Sequence, residues 1–148
     1  MSTFTQILYH IVFSTKYRLT TLTATNRPQL YEYVWGILTK KSCHPYRING
    51  IEDHIHIATH IHPSVALAPL VKDIKLATSD FIKDNGIFKH FSGWQDGYAA
   101  FTYSYRDKDV LIEYIKNQEK HHEELSFKEE LIILLNEHGV KFEEKYLL

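Results

Sequence analysis

The chain has 148 residues, a length at which one domain with its own apolar core is expected. Hydrophobic residues make up 44% and charged residues 24%, which excludes a wholly disordered polypeptide. The single cysteine, Cys43, excludes an intrachain disulfide and a cysteine-based zinc site. No apolar run reaches the length of a membrane span, and the N-terminus lacks the basic-then-apolar layout of a signal peptide, so a cytoplasmic protein is expected.

Net charge is −1, but the charges are unevenly spread. Residues 1–50 carry six Lys/Arg against one acid, 51–100 carry four against six, and 101–148 carry seven against eleven. A polyanion is therefore expected to approach the N-terminal third, through Lys16, Arg18, Arg27, Lys40, Lys41 and Arg47. Ten histidines and ten tyrosines are the other compositional excess.

Residues 6–16 (QILYHIVFSTK) are rich in β-branched and aromatic types and predict a strand buried on both faces. A helix follows at 27–41, with Pro28 in its first turn and Leu30, Val34, Ile37 and Leu38 at helical spacing. Residues 44–51 and 54–62 predict two strands joined by a tight turn near Gly50–Asp53. A second helix over 67–84 carries the stripe Leu67, Leu70, Val71, Ile74, Ala77 and Phe81 and ends at Asn85-Gly86. After a loop at 87–96, residues 97–105 predict a fourth strand and 107–121 a third helix. A fourth helix starts at Ser126, whose spacing to Glu129 is that of a capping box, and buries Phe127, Leu131, Leu134 and Leu135. The order β-α-β-β-α-β predicts an α+β, ferredoxin-like split βαβ fold with an antiparallel sheet and additional C-terminal helices. Two helices cover one sheet face, and the other face is expected to await a partner subunit or a substrate. No linker divides the chain, so 1–148 reads as a single domain with a core at 5–120 and a helical tail at 121–148.

The most informative stretch is His54-Ile55-His56. Strand alternation puts both imidazoles on one face, about 6.7 Å apart along the strand, with Ile55 turned to the core. Two imidazoles so placed can reach one metal ion. His60 and His62 share the parity and are read as an exposed polar strand face. On the third helix Tyr114 and Gln118 lie four apart and are neighbours, flanked by Val110, Leu111 and Ile115. A buried glutamine must satisfy its amide, and its oxygen can also ligate a hard divalent cation.

These residues carry a family likeness. The chain resembles the small single-tyrosine transposases of bacterial insertion sequences and their repeat-associated relatives, whose hallmark is His-hydrophobic-His. The landmarks are HIVFSTKYR in the first strand, DHIHI at 53–57, Lys72 and Lys75 on the second helix, WQDGY at 94–98 and YIKNQ at 114–118. They fall in the family's order over residues 5–120.

The resemblance implies that His54, His56 and Gln118 are metal ligands and that Tyr114 is the nucleophile. In this family the tyrosine attacks a phosphodiester of single-stranded DNA at hairpin-flanked element ends, forming a 5′-phosphotyrosine and freeing a 3′-hydroxyl. The covalent bond conserves energy between the two halves of strand exchange, so no nucleotide cofactor is needed. The family's metal is Mg2+ or Mn2+, whereas imidazoles alone favour zinc or nickel. A homodimer is implied, in which the tyrosine helix of one subunit can reach the histidine pair of the other. Lys72 and Lys75 are candidates for phosphate contact, with a solvated helix edge as the equal alternative. Trp94, with Tyr98, Tyr103 and Tyr105, is a candidate for stacking on bases, with core or dimer packing as the alternative. Asp53 is a candidate to bond a histidine from outside the ligand set, with an ordinary turn residue as the equal alternative. Nothing in the sequence identifies the base that activates Tyr114. Two other functions remain open at this level: a domesticated, non-mobile hairpin-DNA-binding dimer of the same fold, and a histidine-rich zinc-binding protein.

Overall fold

The computed structural model describes residues 2–147; the terminal residues of the expected 1–148 domain, Met1 and Leu148, lie outside them. Strands β1 (Leu8–Ser14), β2 (His44–Gly50), β3 (His54–His60) and β4 (Ala99–Tyr103) form one antiparallel sheet in the order β2-β3-β1-β4. Helix α1 (Arg27–Lys40) connects β1 to β2, and α2 (Leu67–Asn85) connects β3 to β4. That is the ferredoxin-like split βαβ arrangement. Three helices follow: α3 (Lys108–Lys116), α4 (Gln118–His121) and α5 (Phe127–Glu137). Among the described residues no helix is long and apolar enough to cross a membrane.

Alternation along the central strands divides the protein into two layers. Ile11 and Phe13 of β1, Ile48 of β2, and Ile55 and Ile57 of β3 point to one side. There they pack with Leu30, Val34 and Leu38 of α1 and Leu70, Val71, Ile74 and Ile82 of α2. Burying one such aliphatic side chain contributes about 1.5–3 kcal/mol. The helices stop where the sequence predicts, α1 opening on Arg27-Pro28 and α2 closing on Gly86, whose φ of +61° is left-handed.

The second face departs from expectation. It is covered by the chain's own C-terminal helices rather than left for a partner. Leu111 and Ile115 of α3 pack on Leu8 and Ala58, and Leu134 and Leu135 of α5 pack on Phe101. Register explains why both helices find apolar footing. His10 lies opposite Ala58 on one side and Phe101 on the other, and Leu8 lies opposite Tyr103. The predicted third helix is also divided. Asn117 (φ −94°, ψ 22°) leaves the helical region and separates α3 from α4. Val110, read as flanking the Tyr114 line, points to solvent and is 71% exposed. The helix turns its Leu111–Ile115 side inward instead.

Two local devices fix the second layer. A Cβ on Gly50 would sit 2.2 Å from the carbonyl oxygen of His54, so only glycine lets the β2–β3 turn close against the start of β3. At the start of α5, Ser126 Oγ accepts from the Glu129 amide and Glu129 Oε1 accepts from the Ser126 amide, each at 3.1 Å. This is the predicted capping box.

Gly50→Ala is expected to destabilise the fold by about 1–3 kcal/mol, because backbone rather than a flexible side chain must yield. Urea denaturation measures it, and an unchanged midpoint counts against a fixed turn. Ser126→Ala is expected to cost about 1 kcal/mol with the denaturant slope unchanged.

Candidate active site

The site lies between the second sheet face and the C-terminal helices. Strand β3 presents His54 and His56, both without solvent exposure, while Ile55 and Ile57 face the opposite core. Gln118, at the start of α4, is likewise fully buried. Tyr114, one turn earlier on α3, is half-buried, its ring 6.0 Å from that of His56. The expected residues His54, His56, Tyr114 and Gln118 therefore meet within one chain.

At their centre stands Glu130 of α5, which is 2% exposed. Its Oε1 lies 3.0 Å from His56 Nε2, 3.0 Å from His122 Nε2 and 3.2 Å from His54 Nε2. Its Oε2 accepts from Gln118 Nε2 at 2.9 Å and from the Tyr114 hydroxyl. The capping box sets where α5 begins and so places Glu130 in its first turn. Phe127 anchors the same turn by stacking on the His54 ring, with centroids 4.3 Å apart.

Hydrogen positions follow from the outer partners. His54 Nδ1 is 2.7 Å from Asp53 Oδ1, and His122 Nδ1 is 2.6 Å from the Leu125 carbonyl. Both partners only accept, so each Nδ1 carries the hydrogen and a neutral ring turns its Nε2 lone pair inward. Gln118 donates through Nε2, so its Oε1 faces His54 Nε2 at 3.2 Å and His122 Nε2 at 3.1 Å. Four acceptors thus converge, and only added protons or a cation can hold them together.

The donor set fits a metal ion. Ligands about 2.1 Å from a common ion lie about 3.0–3.4 Å from each other, and the contacts of Glu130 Oε1 and Gln118 Oε1 with the His54 and His122 rings, 3.0–3.2 Å, fall in that range. His54, His122 and Glu130 form a cluster whose ligand atoms all lie within 4.8 Å of one another. His56 stands outside that cluster and meets it at Glu130 Oε1, 3.0 Å from its Nε2. His56 Nδ1 is 2.7 Å from His10 Nε2, and His10 Nδ1 is buried without a partner among the described residues. If His56 uses Nε2 as a ligand, its Nδ1–H donates to His10, so His10 sets the tautomer of His56.

Burial and neighbouring charge bias the protons of the centre. Burial disfavours the Glu130 anion, but its contacts with the His122, His54 and His56 rings, which favour a shared proton or positive charge there, override it and hold the carboxyl well below the usual carboxylate range. Burial also disfavours a charged His54, yet the bonds to Asp53 and Glu130 raise its pKa above the ordinary value. Burial lowers His56 to about 4 despite its bond to Glu130. His10 is lowered well below the ordinary value by burial and by His56. Burial and the Glu130 charge raise Tyr114 well above the usual phenol range. The directions favour an anionic Glu130 and an un-ionised Tyr114, and favour positive charge on His54 over His56 or His10.

The remaining predicted site residues lie elsewhere. Lys75 Nζ donates to the carbonyls of Gln95 and Gly97, tying down the loop before β4. Trp94 packs on the edges of Phe13 and Phe91, and its indole N–H donates to Thr78 Oγ1 at 2.9 Å. It is part of the core on the far side of the sheet. Lys16 and Lys72 are exposed and Arg18 is half-buried; none of the five touches the histidine centre. Arg27 and Lys41 of the basic N-terminal third are paired with Glu119 and Asp73. His60 accepts from the Ile7 amide and His62 pairs with Ser64, so both stay outside the centre.

Three residues of the centre were not anticipated: His10, His122 and Glu130. His10 shares strand parity with Ser14, and the β1–β3 register pairs Ser14 with His54. His122 follows Gln118 at helical spacing. Glu130, by contrast, follows Glu129 in a first turn where acids are ordinary.

The structure is similar to two solved ones. A protein from Deinococcus radiodurans R1 described as a transposase shares 22% identity, with a TM-score of 0.61 over 80% of this chain and 95% of that one. A REP-associated tyrosine transposase bound to a REP hairpin shares 15% identity, with a TM-score of 0.59 over 82% and 74%. At these identities the likeness is one of fold. No curated protein matches the chain in sequence. A family model, that of the IS200-like transposases, matches residues 3–118, from before β1 to the buried glutamine of the site. The chain belongs to the IS200-like transposase family, a family of DNA-processing enzymes.

Proposed function

We propose that the protein cleaves and rejoins single-stranded DNA at hairpin-flanked element ends, with Tyr114 as nucleophile. The observation that carries this reading is the Tyr114 hydroxyl bonded to a carboxylate which itself sits on three imidazoles. A hydroxyl with an adjacent acceptor and a cluster of metal-ligating side chains are the parts that phosphodiester transfer through a covalent enzyme intermediate requires. The family membership supports DNA as substrate, and the structural neighbour bound to a hairpin supports that element of recognition.

The chemistry follows from the geometry. Tyr114 Oη attacks the phosphorus, an O–P bond forms to the phenol, and the bond to the 3′-oxygen breaks. Glu130 Oε2 is the nearest acceptor for the phenol proton, and the leaving 3′-oxygen takes a proton in return. Without added positive charge Glu130 opposes the step, because an anion beside the phenol keeps its proton in place. His54, His56 and Gln118, the ligands the family resemblance implies, would hold a divalent cation, and it would supply the charge that offsets Glu130 and the growing charge on the phosphate oxygens. Gln118 and Asp53 orient the centre, and His10 holds the tautomer of His56. In this reading the tail after residue 120 works with the core as a single domain. A homodimer is part of the proposal, and in it the nucleophile lies in the same chain as the histidines. Lys16, Arg18 and Lys72 remain candidates for phosphate contact from the surface.

Incubation with single-stranded DNA from the gene's flanks, followed by denaturing electrophoresis, is expected to show a covalent adduct. Tyr114→Phe should lose it entirely while folding and DNA binding persist, because one hydroxyl is removed. Adduct at full yield in Tyr114→Phe would sink the nucleophile assignment. His54→Ala and His56→Ala should each abolish cleavage. Chelation should do the same to the unaltered protein, and full activity in chelator refutes the metal role.

A further inference from the structure

The region matched by the family model ends at Gln118, yet two side chains of the centre come from beyond it. His122 Nε2 lies 3.0 Å from Glu130 Oε1 and 3.1 Å from Gln118 Oε1. Its Nδ1 is held by the Leu125 carbonyl, an outer partner of the kind that orients an imidazole ligand. Glu130 has no lysine or arginine partner among the described ion pairs; its polar neighbours are the three imidazoles, Gln118 and Tyr114. A buried carboxylate without a fixed cationic side chain needs protonated rings or a metal ion. Both residues are also held in place. Phe127 stacks on His54, and Leu134 and Leu135 pack on Phe101, so α5 is docked against the sheet.

We propose that the segment after residue 118 supplies two metal ligands, His122 Nε2 and Glu130 Oε1, and so makes the centre selective for a transition-metal dication over Mg2+. The inference rests on the metal-centre reading above and deepens it. Mg2+ prefers an all-oxygen shell and keeps several waters. A centre with His54 and His122 beside Glu130 and Gln118 offers two imidazoles to one ion, which suits Mn2+, Co2+ or Zn2+ increasingly well. Ligand number and type, rather than the tyrosine chemistry, then determine which ion the protein carries.

The test is calorimetric titration of the full chain, without a histidine tag, with Co2+ in the presence and absence of Mg2+. Bound Co2+ is followed independently by its visible absorption. The unaltered protein is expected to bind one Co2+ that about a thousandfold excess of Mg2+ does not displace. His122→Ala and Glu130→Gln should each weaken Co2+ binding by more than about 100-fold, beyond the roughly 10–100-fold that loss of an outer partner costs. Glu130→Asp keeps the charge but retracts the oxygen, so it should fold and still lose affinity. It decides the matter if Glu130→Gln unfolds, and His122→Asn does the same for His122→Ala. Thermal midpoints without metal establish that each variant is folded. A loss of about 100-fold or less in folded variants at either position, or displacement by Mg2+, overturns the proposal. Affinity is read without DNA, so this pattern together with no covalent adduct would defeat the transposition chemistry and leave the ligand assignment standing.

Discussion

The second layer of this protein depends on one buried carboxylate. Glu130 is placed by α5 against three imidazoles, an amide and a phenol, with 2% of its surface exposed. Such a group is tolerable only when every lone pair is matched, so the surrounding residues are constrained to serve it. His54 is oriented by Asp53, His122 by Leu125, and Gln118 by donating to the carboxylate itself. The same carboxylate joins two chemical roles, since one oxygen faces the imidazoles and the other takes the hydroxyl of Tyr114.

This polar arrangement is mounted on an apolar frame. Strand β1 is central, paired to β3 and β4, and divides its side chains between two environments. Ile11 and Phe13 enter the core formed with α1 and α2. Leu8 and His10 enter the layer under α3 and α5, where His10 stacks on His56 with ring centroids 5.0 Å apart. The aliphatic core fixes the strands, and the strands fix where the histidines stand. The break at Asn117 then sets Tyr114 and Gln118 on separate helices. Both nevertheless meet the same oxygen of Glu130.

Much of this was legible in the sequence. Strand alternation placed His54 and His56 together and Ile55 on the opposite side, and spacing alone located the Ser126–Glu129 capping box. These are local signals, decided within a few residues. The covering of the second sheet face was not legible, because the α5 stripe of Leu131, Leu134 and Leu135 does not say which surface it meets. Glu130 was missed for a related reason. An acid in the first turn of a helix is ordinary on electrostatic grounds, and only the docking of α5 turns it inward. Trp94 shows the opposite outcome: an aromatic that suits base stacking lies in the core with its N–H satisfied by Thr78. His10 sits mid-strand among apolar neighbours, where only the pairing of β1 with β3 reveals its partner.

Sequence likeness and folding unit have different borders here. The family match stops at Gln118, but Phe101 is covered by Leu134 and Leu135, and His54 by Phe127. A recombinant fragment trimmed to the matched region would keep all four strands and α3, yet bare the β4 side of the sheet. It would also strip three of the groups packed around His54: His122, Phe127 and Glu130. Exposed apolar surface beside an unpaired sheet edge invites self-association. Such a fragment would precipitate or multimerise for reasons unrelated to how the natural chain assembles.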